Sequence, residues 1–474
     1  MGTGSGLWRH PDFLRLWTGQ TISKFGSGIT GNALPLAAVL ALGAGPAEMG
    51  LLTAASAAPV VGLGLVAGAW VDRLRRRPVM IWADAGRALL LASIPAAAAL
   101  GRLRIEHLFL VAALVGVLTI FFDVAYQSFV PDLVGRRRVL EANSRLASSD
   151  AVAEIATPGL TGVLVELITA PMAIALDALS FVGSALFVGA IRTPERPPPA
   201  RQQPARGGVA ELSAANAYLP DLTTETRRHG EDHQDSVSPC LRGAEKPWKQ
   251  LERQPPAARP HVGREIAAGL RVVAGSPLLR AFAGYAASTS FFGSFIGTLY
   301  ALFALRELGL GPTLLGIAIG VGGASNLLGT LIVGPVTRRA GVGRTMLGAV
   351  AVHSVTVFSI PLAGGPVPLA FAVLAAGQAF DAIHPLYDVN ALAVRQSATP
   401  DALLGRVNAT MRVLEGGAAP LGALAGGLLG ATIGVRATLL LAAAGIAASA
   451  LWLALSPLHR LRQLPPPVAA AGTD

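Results

Sequence analysis

Asp381, His384 and Asp388 stand three and four residues apart in an otherwise apolar stretch, the spacing of side chains stacked along one helix face. A charge inside an apolar span costs about 2.5–3.5 kcal/mol to insert, so each such residue needs a reason to be there. Carboxyl and imidazole groups bind and release protons reversibly, and that is the chemistry this stripe predicts, with Asp381 and His384 as carriers. The other reading of Asp381 is a buried carboxyl hydrogen-bonded to a neighbouring helix. Glu154 is the matching candidate in the first half of the chain.

The remaining intramembrane ionisable groups divide by position. Asp84 and Arg87 are three residues apart and can neutralise each other, which reads as structural. Asp123 lies about two turns inside the end of its span and Asp388 sits at a similar depth in the second half. Asp177 reads as a more exposed, cavity-mouth or structural residue. Asp150 and Glu415 read as caps near helix N-termini. Lys24, one of only three lysines, can snorkel, line a cavity or pair with Glu154. Asn32 and Asn326 offer hydrogen bonds to a ligand or between helices, and Phe291, Phe292 and Phe295 offer stacking surface for an apolar one. His353, alone among apolar residues, reads as a satisfied core histidine.

The elements that must position these groups are apolar runs of about 20 residues, enough to cross hydrocarbon. They fall at roughly 18–42, 47–71, 78–100, 106–128, 146–168, 171–191, 281–304, 312–335, 344–363, 367–391, 411–433 and 436–456. Hydrophobic residues make up 52% of the chain and charged ones 14%, with a mean hydropathy of +0.54, so water is not its main solvent. The net charge of +10 sits in short arginine clusters between apolar runs, which is topology signalling and excludes nucleic acid as a partner. A single cysteine, Cys240, excludes a disulfide framework and a cysteine metal site, and His229 and His233 lack a further ligand nearby. Residues 1–10 lack the pattern of a cleavable signal peptide.

Two halves of the chain repeat each other. Phe25-Gly26-Ser27 returns as Phe292-Gly293-Ser294, Gly43-Ala44-Gly45-Pro46 as Gly309-Leu310-Gly311-Pro312, and Gln127-Ser128 with Pro131-Asp132 as Gln396-Ser397 with Pro400-Asp401. A duplicated helical membrane bundle encloses a cavity between its halves, the plan of an alternating-access transporter. The expected organisation is a six-helix bundle over 1–192, a disordered linker over 193–262, a second six-helix bundle over 263–459 and a tail over 460–474. Residues 263–275 are expected to form a short amphipathic lead-in helix. Arginine-rich loops follow spans two, four and eight, so both termini and the linker are expected on the cytoplasmic face of a cell membrane.

The loop after span two, Gly68-Ala-Trp-Val-Asp72-Arg73-Leu-Arg75-Arg76-Arg77, resembles the glycine-x-x-x-aspartate-arginine signature of the major facilitator superfamily, and the chain is similar to its drug:proton antiporter-3 branch. Ala83-Asp84-Ala-Gly-Arg87, Asn143-Ser144-Arg145 and Asp177-Ala178-Leu-Ser180-Phe181 extend that resemblance over nearly everything but the linker. Arg75 stands where the family usually has a second glycine, and Thr157-Pro158 and Ala419-Pro420 depart from its glycine-proline pairs. The resemblance implies an all-α fold of twelve transmembrane helices in two pseudo-symmetric bundles. It also implies a latch in which Gly68 permits close approach, Asp72 meets a helix N-terminus, and Arg73 and Arg76 meet a span-four carboxylate, with Asp123 as the expected partner. In the second half Arg338 replaces the aspartate, Arg339 follows, and Asp388 is their expected partner.

The activity this implies is export of small amphipathic molecules by a monomer bound in lipid, driven by proton flow with no other cofactor or metal. Alternatives are a dedicated siderophore or metabolite exporter, or a non-transporting scaffold that uses the linker. Nothing in the sequence assembles an enzyme's nucleophile, metal cluster or phosphate loop.

Overall fold

Proline is the first residue of four of the long helices, where its missing N–H has no helical partner to lose. The computed structural model describes residues 7–71, 74–193, 195 and 262–463; the linker 196–261 and the tail beyond 463 lie outside the described residues. The first half folds as α1 (Pro11–Leu36), α2 (Pro46–Val71), α3 (Arg76–Ala99), α4 (Ile105–Val134), α5 (Val139–Ile168) and α6 (Ala170–Gly189). The second folds as α7 (Pro277–Glu307), α8 (Pro312–Ala340), α9 (Val342–Leu362), α10 (Val367–Ser397), α11 (Asp401–Thr432) and α12 (Val435–Ala454). A lead-in helix, Val262–Gly275, packs on α7 and α11. Ten of these helices are long and apolar enough to cross a membrane by the described residues alone. Several run past the apolar stretches into the arginine-rich end, where pairs such as Glu141–Arg145 (2.6 Å) sustain the helix in polar surroundings.

The duplication is visible in the backbone. α1 ends in a π-turn, Ala37–Ala41, followed by Gly43 at φ 68° and the start of α2 at Pro46. α7 ends in the π-turn Phe303–Glu307, followed by Gly309 at φ 67° and Pro312. The same widened turn at the same offset is inherited geometry, because a π-turn rarely arises twice by chance. One position breaks the match. Thr169, at φ 81° between α5 and α6, corresponds to Gly434 at φ 90° between α11 and α12. A β-branched residue in that conformation holds about 1–3 kcal/mol of backbone strain. Thr169→Gly is expected to raise thermal stability by about 1 kcal/mol, and an unchanged melting temperature in lipid would show that the turn is not strained.

Within the first bundle α1 packs on α5 and α6, α3 on α4 and α6, and α2 on α4; in the second α7 packs on α11 and α12, and α9 on α10 and α12. The bundles meet through α5 with α8 and α2 with α11, which are equivalent pairs under the repeat. These contacts gather at the end away from the arginine-rich loops. Gly50 faces Ala423 and Gly427, and Gly316 faces the Pro158 carbonyl. The apolar core behaves likewise: one cluster joins Leu34, Ile174, Leu299 and Phe303 across both bundles, whereas the arginine-rich end has two separate clusters, one per bundle. The halves are therefore sealed together at one end and part toward the other. A Cβ on Gly316 would stand 2.1 Å from the Pro158 oxygen. Overpacking of this kind costs about 1–3 kcal/mol, so Gly316→Val is expected to shift the sealed state by about 5- to 150-fold. Spin-label distances between the adjoining ends of α5 and α8 check it; distances equal to wild type would refute the seal.

Candidate functional site

α10 is not a continuous α-helix. It breaks into a 3-10 turn at Asp381–Ile383, and His384-Pro385 begin the next helical segment. In a 3-10 turn residues i and i+3 eclipse, which places Asp381 and His384 above one another. His353 on α9 turns its Nδ1 to the Asp381 carboxylate at 3.2 Å, and its ring meets that of His384 edge to face with centroids 5.4 Å apart. His384 in turn holds Asp388 at 2.7 Å through its own Nδ1. Two histidine–aspartate pairs thus lie side by side. His353 is expected as a satisfied core histidine; it does have a hydrogen-bond partner, Asp381, but it lines a cavity and belongs to this cluster rather than to the apolar core. Asp388 pairs with His384 and not with Arg338 or Arg339, both of which are exposed.

Asp381, His353 and His384 lie in the wall of a cavity of about 490 Å³ between the bundles. Asn32 and Pro158 line it from the first half, and Tyr300, Ile319, His353 and Asp381 from the second. The π-turn ends of α1 and α7 belong to the sealed end above it. Phe291, Phe292 and Phe295 do not line it. Their rings pack on one another at 5.2–5.7 Å, those of Phe292 and Phe295 also against Gly445 of α12 and Gly426 of α11, while Phe291 meets Gly422 through its backbone; Tyr300 is the aromatic group of the wall. Asn32 spends its amide hydrogen on the Gly28 carbonyl at 2.8 Å while facing the cavity. Asn326 is exposed beyond Gly323 on α8, outside that wall.

A second cavity of about 510 Å³ adjoins the first and is lined by α7, α10 and α11. His384 and Thr289 belong to both walls. Asp388, Arg395 and Glu415 face this second space, with Tyr285 and Tyr387 in ring contact at 4.6 Å. Glu415 is fourteen residues into α11, and Asp150 eleven into α5, so neither caps a helix N-terminus as expected. Lys24 approaches Asp150 at 3.9 Å rather than pairing with Glu154. Glu154 is exposed one turn before Pro158, whose missing N–H leaves the Glu154 carbonyl without its helical donor; Gly323 of α8 packs against that carbonyl.

The first half also encloses charge. Arg87 donates to Asp84 and is held between the rings of Phe122 and Phe181, 4.4 and 4.1 Å from its carbon Cζ. Asp177 is 1% exposed and accepts from Ser180 at 2.9 Å, with the Cα of Gly26 packed against it. Its expected exposure is corrected: α6 buries it against α1. Asp12 was not singled out in the sequence, yet its carboxylate accepts from the backbone of Arg192 and Thr193 and ties the start of α1 to the end of α6. A polar residue in the first turn of an apolar helix is the only signal that marked it.

The Major Facilitator Superfamily profile matches residues 16–391. The chain belongs to the major facilitator superfamily. Of curated proteins, the multidrug efflux pump Tap of Mycolicibacterium fortuitum is 26% identical over 444 residues, covering 91% of this chain and 92% of that one. A bacterial homologue of the iron transporter ferroportin superposes with a TM-score of 0.66 at 17% identity, over 95% of this chain and 99% of that chain. A bacterial homologue of the human lysosomal transporter Spinster does so with a TM-score of 0.62 at 14% identity, over 97% and 98%. At such identities these structures establish the shared two-bundle fold, and with the profile they make this chain a multi-pass membrane transporter and not an enzyme.

The superfamily's signature loop is only partly described. Asp72 and Arg73 lie outside the described residues, as do the surroundings of Gly68. Arg76 pairs with Asp132 on α4, not with Asp123, which stands two and a half turns deeper, at the level of Lys24 and Asp150. The N–H groups of Arg76 and Arg77 donate to Glu195, so the first residues after α6 cap α3 directly behind the signature. In the second half the equivalent end is tied by Asn390 to Thr337 at 2.9 Å and by Val342 and Gly343 to the carbonyls of Arg462 and Leu461. Arg76→Ala is expected to weaken the first-half tie by about 1 kcal/mol, the usual scale for a partly exposed pair, read as faster thiol labelling of a cysteine placed at the α3–α4 end. Unchanged labelling would make Arg76 a topology signal alone.

Proposed function

We propose that this transporter exports small amphipathic compounds by proton-coupled alternating access, with Asp381 as the proton-binding group. The observation that carries the reading is the pairing of Asp381 with His353 in the wall of a cavity sealed at one end. Such a group gains or loses a proton according to which side the cavity faces, and a ligand beside it feels the change in charge. By the positive-inside rule the arginine-rich end is cytoplasmic, along with both termini and the linker, so the cavity described here faces the cytoplasm. A substrate is then collected from inside, and the multidrug efflux pump among the relatives supports that direction. Proline, isoleucine and tyrosine in the wall suit apolar or aromatic bodies, and the Asp381 carboxylate among them favours compounds carrying positive charge. The protein works as a monomer in lipid, needing no cofactor beyond the proton gradient.

The test is proton movement in proteoliposomes carrying a preset pH gradient, challenged with macrolides, dyes and siderophores. A compound that dissipates the gradient only when the protein is present supports proton-coupled export. Uptake of labelled compound with no accompanying proton movement would refute the coupling while leaving transport intact.

A further inference from the structure

The central cavity is the route a substrate takes, and a proton leaving by that route must pass a bound substrate. The wall offers another opening. His384 is shared by the central cavity and by the second cavity lined by α7, α10 and α11. We propose that His384 and Asp388 form a side branch through which the proton passes between the Asp381–His353 pair and the second cavity, separate from the substrate's path. This rests on the proton-coupled reading above.

The geometry supplies each station. Asp381 and His353 are in hydrogen-bond contact at 3.2 Å. The rings of His353 and His384 are in edge-to-face contact with centroids 5.4 Å apart, so His384 lies directly beside the Asp381–His353 pair. His384 presents Nδ1 to Asp388 at 2.7 Å, which leaves Nε2 as its free nitrogen. When Nε2 accepts a proton, Nδ1 gives its own to the Asp388 carboxylate, and the neutral ring is left as the other tautomer. One proton enters and one leaves, so charge balances, and ring reorientation or the reverse passage restores the start. The 3-10 turn is what permits this, because it brings Asp381 and His384 onto one side while the following helical turn carries Asp388 into the second cavity.

α8 packs most closely on the 3-10 turn, with Gly329 against the Ala382 carbonyl, and its only ionisable residues, Arg338 and Arg339, are exposed at its far end. The groups that face the branch come from the other neighbouring helices. α7 contributes Tyr285 and Thr289, α9 contributes His353, and α11 contributes Glu415. α10 itself adds Tyr387 and Arg395. Asp388, Arg395 and Glu415 are the charged residues of the second cavity's wall, and they make it a polar vestibule able to exchange protons with water.

The experiment needs no substrate. The full chain is reconstituted in lipid, protons are released photolytically, and the carboxylic C=O infrared band that Asp381→Asn removes is followed in time. Asp388→Asn and His384→Gln are expected to slow the rise of that band by about a hundredfold, the low end of what a positioned proton-transfer group contributes, while its final amplitude is kept. Asp388→Glu should restore most of the rate, which a merely structural role would not do. Wild-type rates in both variants would overturn the side branch and route the proton through the central cavity. If wild type shows no titrating band that Asp381→Asn removes, the role of Asp381 as proton carrier falls, and the branch with it. Where His384→Gln fails to fold, the Asp388 pair of variants alone decides.

Discussion

Asp381→Asn is expected to abolish uphill transport while leaving exchange of substrate across the membrane intact. Asparagine fills the same space and can still engage His353, so the contact between α9 and α10 survives. It cannot take up or give back a proton. For one-to-one exchange, a gradient of one pH unit is worth about 1.4 kcal/mol and sustains about a tenfold substrate gradient. The variant should sustain none, so accumulation in proteoliposomes falls to the equilibrium value at every imposed pH gradient. Counterflow, which moves no net proton, should persist because the two-state motion is untouched, with weaker binding only of compounds that carry positive charge. If the variant accumulates substrate as wild type does, Asp381 is structural, and Glu154 or Asp123 becomes the carrier. Glu154→Gln measured alongside makes that distinction in one experiment.

Arg87→Ala is expected to be the most damaging single change to the fold. Asp84 is 0% exposed and its ionic partner is Arg87, so truncation leaves a carboxylate in the bundle core facing no cation. Breaking a buried pair by removing one member costs about 3–5 kcal/mol. The guanidinium also packs between Phe122 and Phe181, and both rings lose a face. Heating the detergent-solubilised chain and following the folded fraction should show unfolding well below the wild-type temperature. Replacing both members, Asp84→Leu with Arg87→Met, should recover much of the loss, because the uncompensated charge is gone. Arg87→Lys should recover only part of the loss, since an ammonium restores a cation for Asp84 but lacks the flat face that stacks on two rings. Equal melting of Arg87→Ala and wild type would mean that the pair adds nothing to the fold.

These two residues differ in how far the sequence announced them. Asp84 and Arg87 sit on one helix three residues apart, and their pairing follows from helix geometry alone. Asp381, His384 and Asp388 were legible for the same reason. His353 was not. It lies 28 residues from Asp381, on another helix, amid apolar neighbours that look like any core. The aromatic residues failed in the opposite direction. Phe291, Phe292 and Phe295 have the composition of a ligand wall, but the rotation of α7 turns them into packing against α11 and α12, and the wall receives Tyr300. Asp123 was placed at the right depth on the right helix, yet Asp132 lies at the level of Arg76 and takes that role.

By itself the sequence determined that this protein crosses a membrane many times in two repeated halves, and which residues carry charge into the apolar spans. Those properties are local: apolar length, arginine placement and helical spacing act within one segment, and duplication is written in matching residues. Which helices face each other, where the bundles seal, and which charged groups become partners were decided by tertiary structure. A contact between two helices depends on their rotation and relative depth, and an error of one residue turns a side chain by about 100°. No segment fixes those quantities alone, because they arise from packing all twelve helices together.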